Sequence, residues 1–159
     1  MSKEFSHLNH KDNPYMVSVG EKKVTQRMAR AQAKVSLNEE ILNQFSGSEI
    51  NLKKGPVFQT AIIAGIMGAK KTGHLIPLCH PIGMDHCEID IQVEGHEVVI
   101  ECTAKVQSKT GIEMEALTGA SLAALTIYDM CKSFGHEIII KEVKLMEKRG
   151  GKKDFLRSA

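Results

Sequence analysis

The sequence predicts an α+β fold: a ferredoxin-like, split-βαβ antiparallel sheet backed by helices, with one extra helix. Three observations carry this expectation. Apolar and polar residues alternate over several stretches, as half-buried strands require. Helical patterns with start and stop signals separate the first such stretch from the second, and the third from a last strand. The second and third stretches are joined only by Glu94-Gly95-His96, which makes them a hairpin. The resulting order, β-α-α-β-β-α-β, matches a split-βαβ plan with one added helix. A chain of 159 residues with 42% hydrophobic content suits a single domain spanning residues 1–159. Residues 1–20 and 153–159 are expected to be flexible.

Each element has its own signal. From Ala29 to Leu37 the odd positions are Ala, Ala, Ala, Val and Leu, while Arg30, Gln32, Lys34 and Ser36 fall between them. This predicts a strand despite its alanines. Asn38 is placed to cap a short helix through about Phe45, stopped at Gly47. Pro56 is expected at the first position of a second helix, which ends near Lys71-Thr72-Gly73. Alternation returns at Cys87, Ile89, Ile91 and Val93, and again at Val98, Ile100, Cys102, Ala104 and Val106. Thr110-Gly111-Ile112-Glu113 reads as a capping box that opens a long helix reaching Phe134, with Gly135 as its stop. A last strand is expected over about Glu137 to Leu145.

Composition excludes some functions. The formal net charge is only +2, which gives little support to nucleic-acid binding, although Lys53-Lys54, Lys70-Lys71 and Lys148 to Lys153 form basic clusters. No apolar run approaches the roughly 20 residues of a membrane span and no cleavable signal is visible, so a cytoplasmic location is expected. The four cysteines, Cys79, Cys87, Cys102 and Cys131, are expected to be free thiols.

Two places depart from an ordinary core pattern. The first is Leu75 to Cys87, LIPLCHPIGMDHC, which places Cys79-His80 ahead of His86-Cys87. Structural zinc takes ligands from spaced pairs rather than adjacent residues, and neighbouring strand residues point to opposite faces, so a metal centre is disfavoured. The bland alternative makes both cysteines small buried hydrophobes and His80 a hydrogen-bonded loop residue. Pro77 and Pro81, however, stiffen Leu78-Cys79-His80 and lower the entropy lost on gripping a ligand. The second place is Asp129, near the C-terminal end of the long helix, where the macrodipole disfavours a carboxylate. Lys132 lies one turn on and can pair with it, either as a solvated ion pair or, among Ile127, Tyr128, Met130 and Cys131, at a partly desolvated edge. At the other end of the helix Glu113 is expected to cap, and Glu115 has no evident local duty.

These segments carry a resemblance. KTGHLIPLCHPI, TGIEMEALTGASLAALTIYDMCK and KRGGK are similar to the signatures of the cyclic pyranopterin monophosphate synthase family, the molybdenum cofactor biosynthesis protein C or MoaC family. The similarity runs from about Met16 to Lys152. It implies a lyase that converts a cyclised dihydroguanosine triphosphate into cyclic pyranopterin monophosphate and releases diphosphate, working as a homohexamer, a trimer of dimers. By the same resemblance Asp129, Lys132 and Lys54 are catalytic. Leu78, Cys79 and His80, with Glu113, Met114 and Glu115, match substrate-binding segments, and Lys70, Lys71 and Lys148 fall among lysines near the phosphates. No cofactor and no metal are implied, and the partner is a small nucleoside triphosphate derivative rather than nucleic acid or membrane. Two departures stand out. Pro56 occupies the place of an aspartate in the usual K-G-D-V, and Val17-Ser18-Val19-Gly20 replaces the usual V-D-V-S.

The chemistry suits these residue types: lysines supply point charges to phosphate oxygens and to a departing diphosphate, and an Asp–Lys couple exchanges protons. Glu115 and Asp129 are 14 residues apart on one helix, hence separated by about 21 Å along its axis. A substrate touching both therefore implies composite sites between subunits. The small residues Ala116, Gly119, Ala120, Ala123 and Ala124 are read as a face for another subunit's helix, with packing inside the chain as the alternative. Lys148 is expected to fold over phosphate on Gly150-Gly151, and residues beyond Lys152 to form a solubilising tail. Two other readings remain open: a non-catalytic nucleotide-sensing module, which would have no use for Asp129 with Lys132, and a zinc-dependent protein.

Overall fold

In the computed structural model the structure describes residues 7–158. Its frame is four long strands: β1 (Thr25–Ser36), β5 (His86–Glu94), β6 (Glu97–Ser108) and β7 (Ile139–Arg149). They pair antiparallel in the spatial order β5-β6-β1-β7, the ferredoxin-like arrangement expected. Between β1 and β5 lie α1 (Glu39–Leu42), the short strands β2 (Phe45–Ser46), β3 (Glu49–Leu52) and β4 (Gly55–Pro56), then α2 (Val57–Lys70) and α3 (Thr72–Leu75). The long helix α4 (Glu113–Cys131) and one 3-10 turn, Lys132–Phe134, join β6 to β7. A short β8 (Phe155–Leu156) adds a fifth strand at the β7 edge.

The alanine-rich pattern of β1 has a packing reason. Ala29, Ala31, Ala33 and Val35 are fully buried on the central strand, and α4 returns small residues, Ala116, Ala120, Ala123 and Ala124, all equally buried. Small side chains on both surfaces let the helix lie close to the sheet while Ile100, Ile112 and Ile127 fill the remaining volume. The α2–α4 contact is closer still. A Cβ on Gly65 would stand 2.8 Å from the Gly119 carbonyl oxygen, and one on Gly119 would stand 2.7 Å from Cys102 Sγ. Added methyl groups here cost about 1–3 kcal/mol. The stripe expected to meet another subunit's helix is therefore spent inside the chain, against α2 and the sheet; this corrects the interface reading of those residues.

Other boundaries shift for local reasons. Asn38 caps α1 as expected, its Oδ1 accepting from Ile41 N at 2.9 Å, but the helix ends at Leu42 and Phe45 is already in β2. Pro56 precedes α2 instead of opening it and offers no side-chain cap. Glu49 does that work: its carboxylate accepts from Phe58 N at 2.7 Å and Gln59 N at 3.0 Å. A carboxylate thus reaches this helix start from β3, in a chain whose KGPV has no acid there. The predicted capping box at Thr110 does not form, because Ile112 occupies the cap position with no side-chain bond and Glu113 turns to Lys148. Gly135, at φ 131°, stops the helical run after Phe134 as the sequence predicts.

At the ends, residues 1–6 and 159 lie outside the described residues. Residues 7–24 form little regular structure, yet they are tied down: His80 Nε2 is 2.7 Å from Val17 O, and Lys109 Nζ donates to Gly20 O at 2.7 Å. The expected tail is instead partly an edge strand. Phe155 and Leu156 pair with Lys148 and Glu147, and Arg157 Nε donates to Leu145 O at 2.9 Å. No helix among the described residues is long and apolar enough to cross a membrane.

Candidate functional site

Apart from Lys71, the sequence-predicted residues gather at the two ends of α4. At its start the stiffened loop after α3 brings Leu78, Cys79 and His80 against Glu113, Met114 and Glu115 around a cavity of about 310 Å³. The loop holds its course through Cys79 N donating to Ile76 O at 3.1 Å, and through Asp85, whose carboxylate accepts from Gln107 N at 2.8 Å. Glu115 is only 3% exposed, and burial pushes its carboxyl above the usual carboxylate range, with the charge of Glu113 adding to the effect. Burial, and then the charge of Glu115, also push the Cys79 thiol up. Cys79 is therefore a poor nucleophile and serves better as a neutral hydrogen-bonding or packing group.

A second cavity of about 440 Å³ adjoins the first, sharing Lys22, Thr110, Gly111 and Glu113. Its further lining includes Arg27, Lys109, Lys148, Lys152 and Lys153. Lys148 Nζ donates to Glu113 Oε1 at 3.0 Å. This cationic wall comes from the segment before β1, from β1 itself, from the end of β6 and from the end of β7. Of these residues, sequence reasoning named Lys148 and the basic cluster after it. Lys22, Arg27 and Lys109 carry no spacing signal, since only the sheet brings them together. A smaller cavity of about 240 Å³ joins Lys70 to Glu115 through His74 and Ile82. Lys71 is exposed and lines none of these three cavities.

The C-terminal end of α4 carries the other group. Asp129 Oδ1 lies 2.7 Å from Lys132 Nζ, and Lys54 Nζ donates to the Asp129 carbonyl oxygen at 3.3 Å. The β3–β4 hairpin presents Lys54 here. The side chains of Asp129 and Lys132 are 63% and 50% exposed, so within one chain the pair stands in solvent and not at the desolvated edge that the apolar neighbours suggest. Met130 and Cys131 turn inward instead. The Lys132 hydrogen bond and charge hold the Asp129 carboxyl below the usual range, and Asp129 reciprocally raises Lys132. Neither Asp129, Lys132 nor Lys54 lines the cavities at the start of the helix.

Among the described residues no three of His, Cys, Asp or Glu are grouped to hold a metal ion. The geometry thus offers a cavity with a buried acid, a cationic cavity beside it, and an exposed acid–lysine pair at the far end of the same helix. The chain is 50% identical over 155 residues to the molybdenum cofactor biosynthesis bifunctional protein of Synechocystis sp., covering 94% of this chain and 45% of that protein. It spans less than half of that relative's length. The model of the MoaC family matches residues 16–151, a span that takes in both cavities' principal walls and the Asp129–Lys132 pair, and the chain belongs to that family.

Proposed function

We propose that this chain acts in molybdenum cofactor biosynthesis as a cyclic pyranopterin monophosphate synthase, a lyase working on (8S)-3',8-cyclo-7,8-dihydroguanosine 5'-triphosphate and releasing diphosphate. Membership of the MoaC family and 50% identity to the molybdenum cofactor biosynthesis bifunctional protein of Synechocystis sp. support the pathway. The observation that carries the reaction is the junction of the two cavities at Lys22, Thr110, Gly111 and Glu113. One end is cationic, and the other has a buried acid in its wall. A ligand with a polyanionic tail and a polar bicyclic head fits that division.

In this reading the phosphates lie along Lys148, Lys109 and Arg27, whose charges stabilise the diphosphate as it departs. Leu78, Cys79 and His80 with Met114 and Glu115 hold the head. His80 donates a hydrogen bond or a proton, and Glu115, with its raised affinity for protons, can bind as the neutral acid. Lys70 reaches the same region through the smaller cavity, and Lys71 contributes at longer range. Asp129 serves as base and protonated Lys132 as acid, with Lys54 adding charge; docking against another subunit would withdraw water from the pair and bring their proton affinities together. Because about 21 Å of helix separates Glu115 from Asp129, the working site is composite, formed in a homohexamer built as a trimer of dimers. The reaction uses no flavin, nicotinamide or metal, and takes place in the cytoplasm.

Incubation of the purified chain with the cyclised triphosphate tests this. Diphosphate and the cyclic phosphate product are expected to appear in equal amounts, and Asp129→Asn to lower turnover by on the order of 10²- to 10⁴-fold. Normal turnover by Asp129→Asn would refute the assigned chemistry, and absence of both products with the native protein would refute the reaction.

A further inference from the structure

Two cysteines that the proposed reaction does not use lie side by side on the β5–β6 hairpin. Cys87 is in register with Ala104, and Cys102 with Ile89, so the two are diagonal neighbours on one face of the sheet. Their sulfurs are 3.9 Å apart. Their surroundings differ sharply. Cys102 is fully buried beneath α4, where a Cβ on Gly119 would touch its sulfur. Cys87 is half-buried and forms part of the lining of a cavity of about 450 Å³, which adjoins the Lys70–Glu115 cavity at Lys70, Ile82 and Gly83. Lys70, at the end of α2, lines the same cavity, with Ile66, Ile82 and Met84 as apolar walls.

We propose that Cys87 is a reactive thiol and a site of covalent modification by hydroperoxides. The geometry supplies what such a thiol needs: access from a cavity, a cation facing the same space, and a neighbouring S–H to donate to a thiolate. Either sulfur is placed to donate to the other, and in this proposal Cys102 is the one that keeps its proton, because the adjacent sulfur and then burial push its thiol up. Cys87 is correspondingly lowered, first by that hydrogen bond and then by the charge of Lys70, against the opposing effect of partial burial. Cys79 is a built-in control: it is also half-buried, but its thiol is raised by burial and by Glu115. The inference is independent of the reaction proposed above.

The step balances without a further reactant. The Cys87 thiolate attacks one oxygen of the hydroperoxide, an S–O bond forms as the O–O bond breaks, and sulfur loses two electrons to the peroxide. The departing hydroxide or alkoxide takes a proton from water. The product is a sulfenic acid at Cys87. Cys102 and Lys70 hold the thiolate; Cys87 itself is the site.

The folded native protein, treated with hydrogen peroxide in the presence of a 1,3-diketone that traps sulfenic acids, tests this when peptides are resolved by mass spectrometry. The expected result is a diketone adduct at Cys87, forming at least about tenfold faster than any product at Cys79. Equal or faster modification of Cys79 or Cys131, or no loss of the Cys87 thiol, overturns the proposal. Alkylation by iodoacetamide without oxidant checks the cause: the rate at Cys87 is expected to fall severalfold in Cys102→Ala and in the surface variant Lys70→Gln. An unchanged rate in both variants overturns it as well.

Discussion

Glu115 and Asp129 stand on one helix, in one chain, and their surroundings push them in opposite directions. Glu115 is enclosed by the loop carrying Leu78 to His80 and by the acid Glu113, so burial raises its affinity for a proton. Asp129 projects into solvent beside Lys132 and close to Lys54, so hydrogen bonding and charge lower its affinity. The contrast teaches that acid type and helix position say little about protonation. What surrounds the carboxyl decides it, and surroundings come from other elements: the α3–β5 loop at one end, the β3–β4 hairpin at the other.

The most forceful way to break the comparison is to separate its ends onto different subunits. Asp129→Ala and Glu115→Ala are each expected to lose at least about 10²-fold in turnover. Mixed oligomers of the two should recover part of the native rate, since some composite sites would then be intact. A mixture verified by mass spectrometry that regains nothing would show that one chain supplies both acids.

A smaller effect sharpens the contrast through stability. Between the ordinary glutamate value and its raised folded value, the folded chain holds the Glu115 proton more tightly than the unfolded chain. Stability from this group is therefore greatest at low pH and is lost as pH rises through that window. Glu115→Gln should remove this loss and raise stability at neutral pH by on the order of 1 kcal/mol. Asp129 has the opposite sign: its contribution is present above the ordinary aspartate value and is lost as pH falls through the lower folded value. Because Asp129 is exposed, Asp129→Asn should leave the thermal midpoint almost unmoved. Melting curves from about pH 4 to 8 distinguish the two, and equal responses would erase the distinction drawn here.

The smallest expected change concerns the cationic cavity near the helix start. Lys148→Ala should weaken diphosphate binding severalfold, measured by calorimetry, while freeing Glu113 from its ion pair. Unchanged affinity would remove Lys148 from the phosphate wall.

Much of this was legible in the chain. Alternation named three of the four long strands, the fourth was placed after the helix stop, Gly95 with its neighbours marked the hairpin, and Gly135 marked the end of the helical run. The pairing of Asp129 with Lys132 followed from helical spacing and is present at 2.7 Å. The failures share one cause. Glu49 caps α2 from a different strand, Glu113 leaves its expected cap for Lys148 on β7, and β8 forms because β7 still has an open edge. The small residues of α4 read equally well as a face toward another chain, until α2 is seen lying on them.

What the sequence by itself determined is local and periodic: which segments are strands or helices, which faces turn inward, and which residue types could bind phosphate or exchange protons. Side-chain period and turn chemistry act over a few residues, so the chain states them directly. The tertiary structure alone decided which distant groups meet. Folding of β1, β6 and β7 together set Arg27, Lys109 and Lys148 around one cavity, and the α3–β5 loop buried Glu115 while leaving Asp129 in water. Burial and electrostatic fields depend on distances in space, and those exist only once the sheet has closed its register and the helices have packed upon it.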